Sequence, residues 1–536
     1  KFPDVRKLFL LLPLRLSGTR VGLRTPLQER VHRSKGALHL LASRSQLPAR
    51  PHASHQNSFE FLKISATRHR SLHSPSMTQI AMNPNAAEAF ESYVIKDGVK
   101  VVERFFDLPL DYSHPEGETI RVFARHLIPQ SKAKTPEEED KLPFLLYLQG
   151  GPGFEVELQG SSGFAGELHE RGYQTLWLDP RGTGHSSHIS PETLPARLAT
   201  DQAKADYLKH FRADSIVRDC EAIRKIMLGH KRDPEDRKWT ILGQSFGGFC
   251  AITYLSFFPE GLKEVFMTGG LACLDECPDR LYASQIPILR KRNDIYYNKY
   301  PQDIKRVRDI LSYLESNDVR LPNGGRLSVS RWLQLGIQFG ATGGIDRIHQ
   351  IVFRVTNDLE LYGRMTFKTL QGLESQYTFD GNPIYAILHE PIYCQGRAPR
   401  WSAARTIAQH PEFSWSHVKG LADTEPIYFY GEMVFPDVFD DFVNLRPLKG
   451  AAEILAHDDS WGELYDIEQL RRNRVKVTAA SYINDLYVTF DIAQETASII
   501  KGTEQYITNQ QVHDGLRIHS KEVIQHLFTI SKREYD

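Results

Sequence analysis

From residue 92 onward, short apolar runs alternate with longer segments of helical periodicity. Residues 92–128 read as two or three extended segments, among them Val101–Leu108 and Ile120–Ile128, with Asp111, Ser113 and Pro115–Gly117 marking the turn between those two. Pro143–Leu148 is short and continuously apolar, the pattern of a strand covered on both faces, and it ends in Gln149-Gly150-Gly151-Pro152-Gly153. A second such run, Thr175–Leu178, ends in Asp179-Pro180-Arg181-Gly182-Thr183-Gly184. Ile216, Val217, Cys220, Ile223, Ile226 and Met227 then recur at helical spacing. Trp239–Leu242 is a third strand, followed by Gly243-Gln244-Ser245-Phe246-Gly247 and an apolar helix over Phe249–Phe258 that Pro259 stops. Leu262–Met267 is a fourth, closing in Thr268-Gly269-Gly270. Strands alternating with helices across Gly-rich turns predict a doubly wound, mostly parallel sheet.

Residues 275–470 break this rhythm. They are helical in pattern and rich in aromatic residues, with no regular strand alternation, as an inserted cap or lid would be. The rhythm then resumes with strand Val475–Ala480, helix Ile492–Ile500, strand Glu504–Thr508 and a last helix from about Ser520 to Ser531. The expected organisation is an N-terminal extension (1–85), a first part of an α/β core (86–274), a helical cap (275–470) and the C-terminal part of the core (471–536).

Composition changes this picture mainly at the N-terminus. The 536 residues carry no formal net charge, but 14 Lys/Arg and only three acids (Asp4, Glu29, Glu60) precede Met77. The rest holds 52 basic and 63 acidic residues, a net of −11, so no nucleic-acid partner is expected there. The basic, Pro-interrupted first 76 residues resemble a mitochondrial transit segment; the preferred reading is a disordered tail, or sequence upstream of a start at Met77. The apolar run Leu8–Leu12 is cut by Pro13 and Arg15, far short of the ~20 residues a membrane span needs, so no membrane partner is expected. Five cysteines (Cys220, Cys250, Cys273, Cys277, Cys394) form no disulfide framework and fit a reducing compartment, expected to be the cytoplasm, or the mitochondrion if the basic segment is a transit peptide. Cys273 and Cys277 lack two further ligands, so core thiols are expected and neither a metal nor a cofactor is called for.

Gly-x-Ser-x-Gly between an apolar strand and an apolar helix has the context of a nucleophile elbow, a turn so tight that its flanking positions require glycine. Ser245 is the candidate nucleophile, flanked by Gly243 and Gly247. An oxyanion hole needs a backbone N–H from the next residue, Phe246, and a second from the loop after an earlier strand, where Gly150 or Gly151 allows close approach. Gly150–Gly153 lacks the Gly-Lys-Ser/Thr ending and the Gly-x-Gly-x-x-Gly spacing of phosphate loops. The serine also needs a base with an orienting carboxylate, in chain order Ser, acid, His. Of eight histidines after Ser245, only His513 lies in the loop directly after the last strand. Asp485, after strand Val475–Ala480, is the favoured acid, with Asp491 as runner-up. Together these features predict an α/β-hydrolase fold with an inserted helical cap. A carboxylesterase or lipase-like hydrolase is a rival reading; a non-catalytic hydrolase-fold binding protein is a third, against which the complete serine, acid and histidine set argues.

The glycine loop Gly150-Gly151-Pro152-Gly153, the segment Asp179–Ser186, Gly243–Gly248, Asp485-Leu486-Tyr487-Val488 and His513-Asp514-Gly515-Leu516-Arg517 together resemble the proline iminopeptidase family, especially its longer fungal-type members. The resemblance runs from about residue 90 to the C-terminus. It implies an α/β-hydrolase serine aminopeptidase acting on peptides with a free N-terminus and releasing an N-terminal residue, usually proline. It also implies Ser245, Asp485 and His513 as the triad, and Glu390 and Glu432 as carboxylates that hold the substrate's ammonium. Gln149, where many relatives of the fold carry histidine, and Asp514, where asparagine is expected, depart from the pattern without touching the triad.

Overall fold

The computed structural model describes residues 88–95 and 97–533. The basic N-terminal segment, and with it the expected extension over residues 1–85, lies outside the described residues.

A nine-stranded sheet organises the chain: β1 (Glu88–Ile95), β2 (Val99–Pro109), β3 (Thr119–Pro129), β4 (Phe144–Leu148), β5 (Gln174–Asp179), β6 (Trp239–Gln244), β7 (Leu262–Thr268), β8 (Lys476–Tyr482) and β9 (Thr503–Thr508). Their spatial order is β1-β2-β3-β5-β4-β6-β7-β8-β9. The first three pair antiparallel and β3 joins β5 antiparallel, whereas β5, β4, β6, β7, β8 and β9 run parallel. The central strands β4, β5 and β6 are buried at every position. Helices on both faces explain this: these three strands are covered twice and have no solvent-exposed face.

One apolar cluster joins Leu146, Leu178 and Ile241 to Ile216, Val217 and Ile223 of helix Ala213–Leu228. The opposite face is covered by helices Gly163–Glu170 and Ser520–Ser531, with Leu168, Ile524 and Leu527 packed on Leu145, Trp177 and Phe266. Between β7 and β8 the chain is helical, apart from an isolated bridge between Arg320 and Arg326. Part of this segment has its own core, built from Tyr296, Leu311, Trp332, Val352 and Phe429. Its other part, including Ile384, Leu388, Leu455 and Leu464, packs into the same cluster as the sheet. No helix among the described residues is long and apolar enough to cross a membrane. All five cysteines are free and buried.

One boundary differs in an informative way. The helix after β6 begins at Phe246 and ends at Phe257, three residues ahead of the apolar periodicity. Gly247 and Gly248 fill its first turn and carry no hydrophobic signal, because their Cα atoms pack directly against the carbonyls of Leu148 and Gly270.

Candidate functional site

The site gathers at the carboxyl ends of the parallel strands, where open α/β sheets present their ligand crevices. Ser245 follows β6 with φ 55° and ψ −123°. That is a costly conformation for a residue with a side chain, of order 1–3 kcal/mol. Its neighbours over-determine it. The Ser245 N–H donates to the Thr268 carbonyl on β7 (3.0 Å), and its own carbonyl accepts from Gly248 N–H (2.7 Å). A side chain at Gly243 or Gly247 would collide with backbone atoms of Gly247 and Leu148 respectively, so the turn admits only glycine there. Since Ser245 caps the helix, the Phe246 N–H lies in its first turn, where no intrahelical acceptor exists.

The loop after β4 closes over this turn. A Cβ on Gly150 would lie 3.1 Å from the Ser245 Cβ. Gln149 shapes the loop. Its Oε1 accepts from Tyr147 Oη (2.9 Å), Arg517 Nη2 (2.8 Å) and the Gly150 N–H (3.2 Å), while its Nε2 donates to the Glu155 carbonyl (3.0 Å). Burial pushes the Tyr147 phenol up to about 12, so it stays a donor. With the Gly150 N–H turned to Gln149, the Gly151 N–H is the candidate oxyanion donor of this loop.

His513 and Asp485 arrive from the loops after β9 and β8. The His513 Nδ1 lies 2.8 Å from Asp485 Oδ2 and 3.1 Å from Oδ1. Backbone N–H groups of Tyr487 (2.9 Å) and Val488 (3.1 Å) both donate to Asp485 Oδ1, fixing the carboxylate. Burial alone would lower the His513 pKa; the adjacent Asp485 charge and hydrogen bond outweigh it and set the net direction upward. The Tyr487 ring packs edge-on against the imidazole at 4.7 Å, and its hydroxyl is tied to the Ile337 carbonyl of the helical segment (2.5 Å). Asp491, the runner-up acid, is exposed in the first turn of helix Phe490–Ile499 and makes no contact with this histidine.

Ser245, His513, Gly150, Gly151 and Glu432 line one cavity of about 510 Å3, walled by Phe154, Phe164, Tyr385 and Tyr487. Glu432 is half-buried and accepts from the Tyr385 hydroxyl (2.7 Å). Among the described residues no Lys, Arg or His forms an ion pair with its carboxylate; His389 Nε2 contacts only its backbone carbonyl (3.3 Å). Glu390 is placed differently. It does not line this cavity; both of its oxygens accept backbone N–H groups, Ser402 (3.0 Å) and Ala403 (2.8 Å), at the start of helix Ser402–Ile407. Burial outweighs these bonds and pushes its carboxyl up to about 7. The resemblance implies the same role for both glutamates, but only the fold separates the open carboxylate from the capping one. It also adds lining residues with no motif of their own: Tyr385, five positions before Glu390, and Phe154, directly after the glycine loop.

A serine held at a strand-to-helix turn facing a glycine loop, with a paired histidine and carboxylate from the last strands, places the chain among the α/β hydrolases. Residues 143–308 match the family model described as alpha/beta hydrolase fold. The chain is 40% identical over 432 residues to the proline iminopeptidase aneH of Aspergillus aculeatus, covering 80% of this chain and 93% of that one. It is 38% identical over 441 residues to the proline iminopeptidase of Aeromonas sobria, covering 82% and 98%. The protein belongs to the proline iminopeptidase family.

Proposed function

We propose that this protein is a serine exopeptidase that releases an N-terminal residue, preferentially proline, from peptides with a free N-terminus. The observation that carries this reading is Glu432, a carboxylate without a cationic partner among the described residues, in the cavity shared by Ser245 and His513. A half-buried charge of this kind is costly unless a cation completes it, and the ammonium of a peptide supplies one. An esterase substrate has no group to use it.

Ser245 Oγ attacks the first peptide carbonyl while His513 Nε2 accepts its proton. Asp485, bonded to Nδ1, holds the tautomer and stabilises the imidazolium. Negative charge developing on the carbonyl oxygen is met by the N–H groups of Phe246 and Gly151. His513 then protonates the leaving nitrogen, and water resolves the acyl-enzyme by the same route. The aromatic walls Phe154, Tyr385 and Tyr487 suit a pyrrolidine ring carrying a positive charge, since cations are attracted to ring faces. Glu390, with its oxygens committed to Ser402 and Ala403, serves the fold of the helical segment in this reading.

The test compares proline arylamide, N-acetylproline arylamide and a small ester on the purified protein. Of the two arylamides only the free amine should be hydrolysed, while the ester, which needs no ammonium seat, reports the serine and histidine alone. Turnover of the acetylated compound at the same rate would leave an esterase-like hydrolase instead.

A further inference from the structure

Arg517 is the sole Lys or Arg among the described residues lining the cavity, and it stands four positions beyond His513 on the short helix Gly515–Ile518. Its Nη2 donates to Gln149 Oε1 (2.8 Å) and Gln244 Oε1 (3.1 Å), both neutral amides. Asp514, the acid nearest in sequence, is spent on the backbone N–H (3.0 Å) and hydroxyl (2.8 Å) of Thr342. Glu432, Glu155 and Glu157 line the same cavity without pairing with Arg517. A guanidinium carries five N–H donors. Both edges that can grip a carboxylate with two parallel bonds, Nε–Nη2 and Nη1–Nη2, share Nη2, whose hydrogens go to Gln149 and Gln244; this guanidinium, which also neighbours the Tyr147 hydroxyl, therefore meets a further anion with its charge and a single N–H donor.

The seat lies close to the chemistry. Gln244 Oε1, which Arg517 holds, is 3.0 Å from the place a Gly150 Cβ would occupy, and that place is 3.1 Å from Ser245 Cβ. If Glu432 takes the ammonium of the first residue, the leaving group lies toward His513, which must protonate it. One extended residue spans roughly 3.5 Å, so the second residue of a substrate brings its own carboxylate within reach of the loop that Arg517 braces. We propose that Arg517 is a subsite for a carboxylate on the leaving-group side of the scissile bond, making prolyl dipeptides with a free C-terminus preferred substrates. This inference rests on the exopeptidase reading above.

The experiment measures kcat/KM on Pro-Gly and Pro-Gly-amide, on Pro-Glu-amide and Pro-Gln-amide, and on proline arylamide, with the unmodified enzyme, Arg517→Gln and Arg517→Lys. In the unmodified enzyme Pro-Gly should exceed its amide by about tenfold or more, the lower end for one hydrogen bond to a charged group. The ratio should fall to about one in Arg517→Gln and be partly retained in Arg517→Lys. Since Arg517 also braces Gln149 and Gln244, absolute rates report that role, whereas the acid-to-amide ratio reports the subsite alone. Discrimination between Pro-Glu-amide and Pro-Gln-amide that is lost in Arg517→Gln would keep the carboxylate subsite and assign it to an acidic side chain. Ratios near one for both pairs in the unmodified enzyme would overturn the proposal, as would ratios that survive Arg517→Gln. Cleavage of proline arylamide keeps the exopeptidase reading whatever the ratios; failure to cleave it, or any of the peptides, would sink both.

Discussion

Glu432→Gln is the sharpest perturbation, because it removes a charge and almost nothing else. Glutamine has the same shape, and its Oε1 can still accept the Tyr385 hydroxyl that now sits 2.7 Å away. An ammonium about 3 Å from the carboxylate would gain about 5 kcal/mol at an effective dielectric of 20. Desolvating both ions consumes part of this, and hydrogen bonds to charged groups net about 1.5–3 kcal/mol. Proline arylamide hydrolysis should therefore lose roughly 10- to 150-fold in kcat/KM, while 4-nitrophenyl acetate, which has no amine, should change little. Glu432 is also among the charges that raise the His513 pKa, after Asp485, so the variant's acid limb should move to lower pH. Rates must therefore be compared on the high-pH plateau, where His513 is neutral in both proteins. Equal losses on amine and ester, or an undiminished arylamide rate, would refute the assignment of Glu432 as the ammonium seat.

Ser245→Ala should abolish turnover and labelling by an organophosphonate while leaving thermal unfolding close to the unmodified protein; retained labelling would move the nucleophile elsewhere. Asp485→Asn should lower the plateau by about 10⁴-fold, through loss of the tautomer and of imidazolium stabilisation. In the same variant, burial acts on His513 unopposed by Asp485 and lowers its pKa, so the acid limb of kcat/KM should shift to lower pH; an upward shift would contradict the pairing. For Glu390, whose folded pKa is raised from 4.5 to about 7, the native state binds more protons than the unfolded chain between those values. Stability from this group therefore falls as pH rises through that window and is constant above it, by on the order of 3 kcal/mol. Relative to Glu390→Gln, the unmodified protein should lose stability between about pH 4.5 and pH 7 in chemical denaturation; a pH-independent difference would show the carboxyl ionising freely.

The order of elements could be read from periodicity because a doubly covered parallel strand leaves a continuous apolar run, as Phe144–Leu148 does. Ser245 stood out for the same local reason: a strand, a turn that admits only glycine two residues either side of the serine, and an apolar helix are all encoded within about twenty residues. Asp485 and His513 could be ranked by chain order and by their positions after β8 and β9, since the fold brings every loop at the carboxyl ends of its strands to one edge.

Other distinctions depended on atoms far apart in sequence. Glu390 and Glu432 look alike in the chain, but one is committed to the N–H groups of Ser402 and Ala403, and the other opens into the cavity beside Tyr385. Gly150 and Gly151 were equivalent oxyanion candidates until the Gln149 side chain, itself held by Tyr147 and Arg517, took up the Gly150 N–H. Local sequence determined the elements and the nucleophile, because backbone sterics and hydrophobic periodicity act over a few residues. Tertiary structure alone decided which charges are spent and which remain free for a substrate, because pairing depends on distances between side chains that only packing brings together.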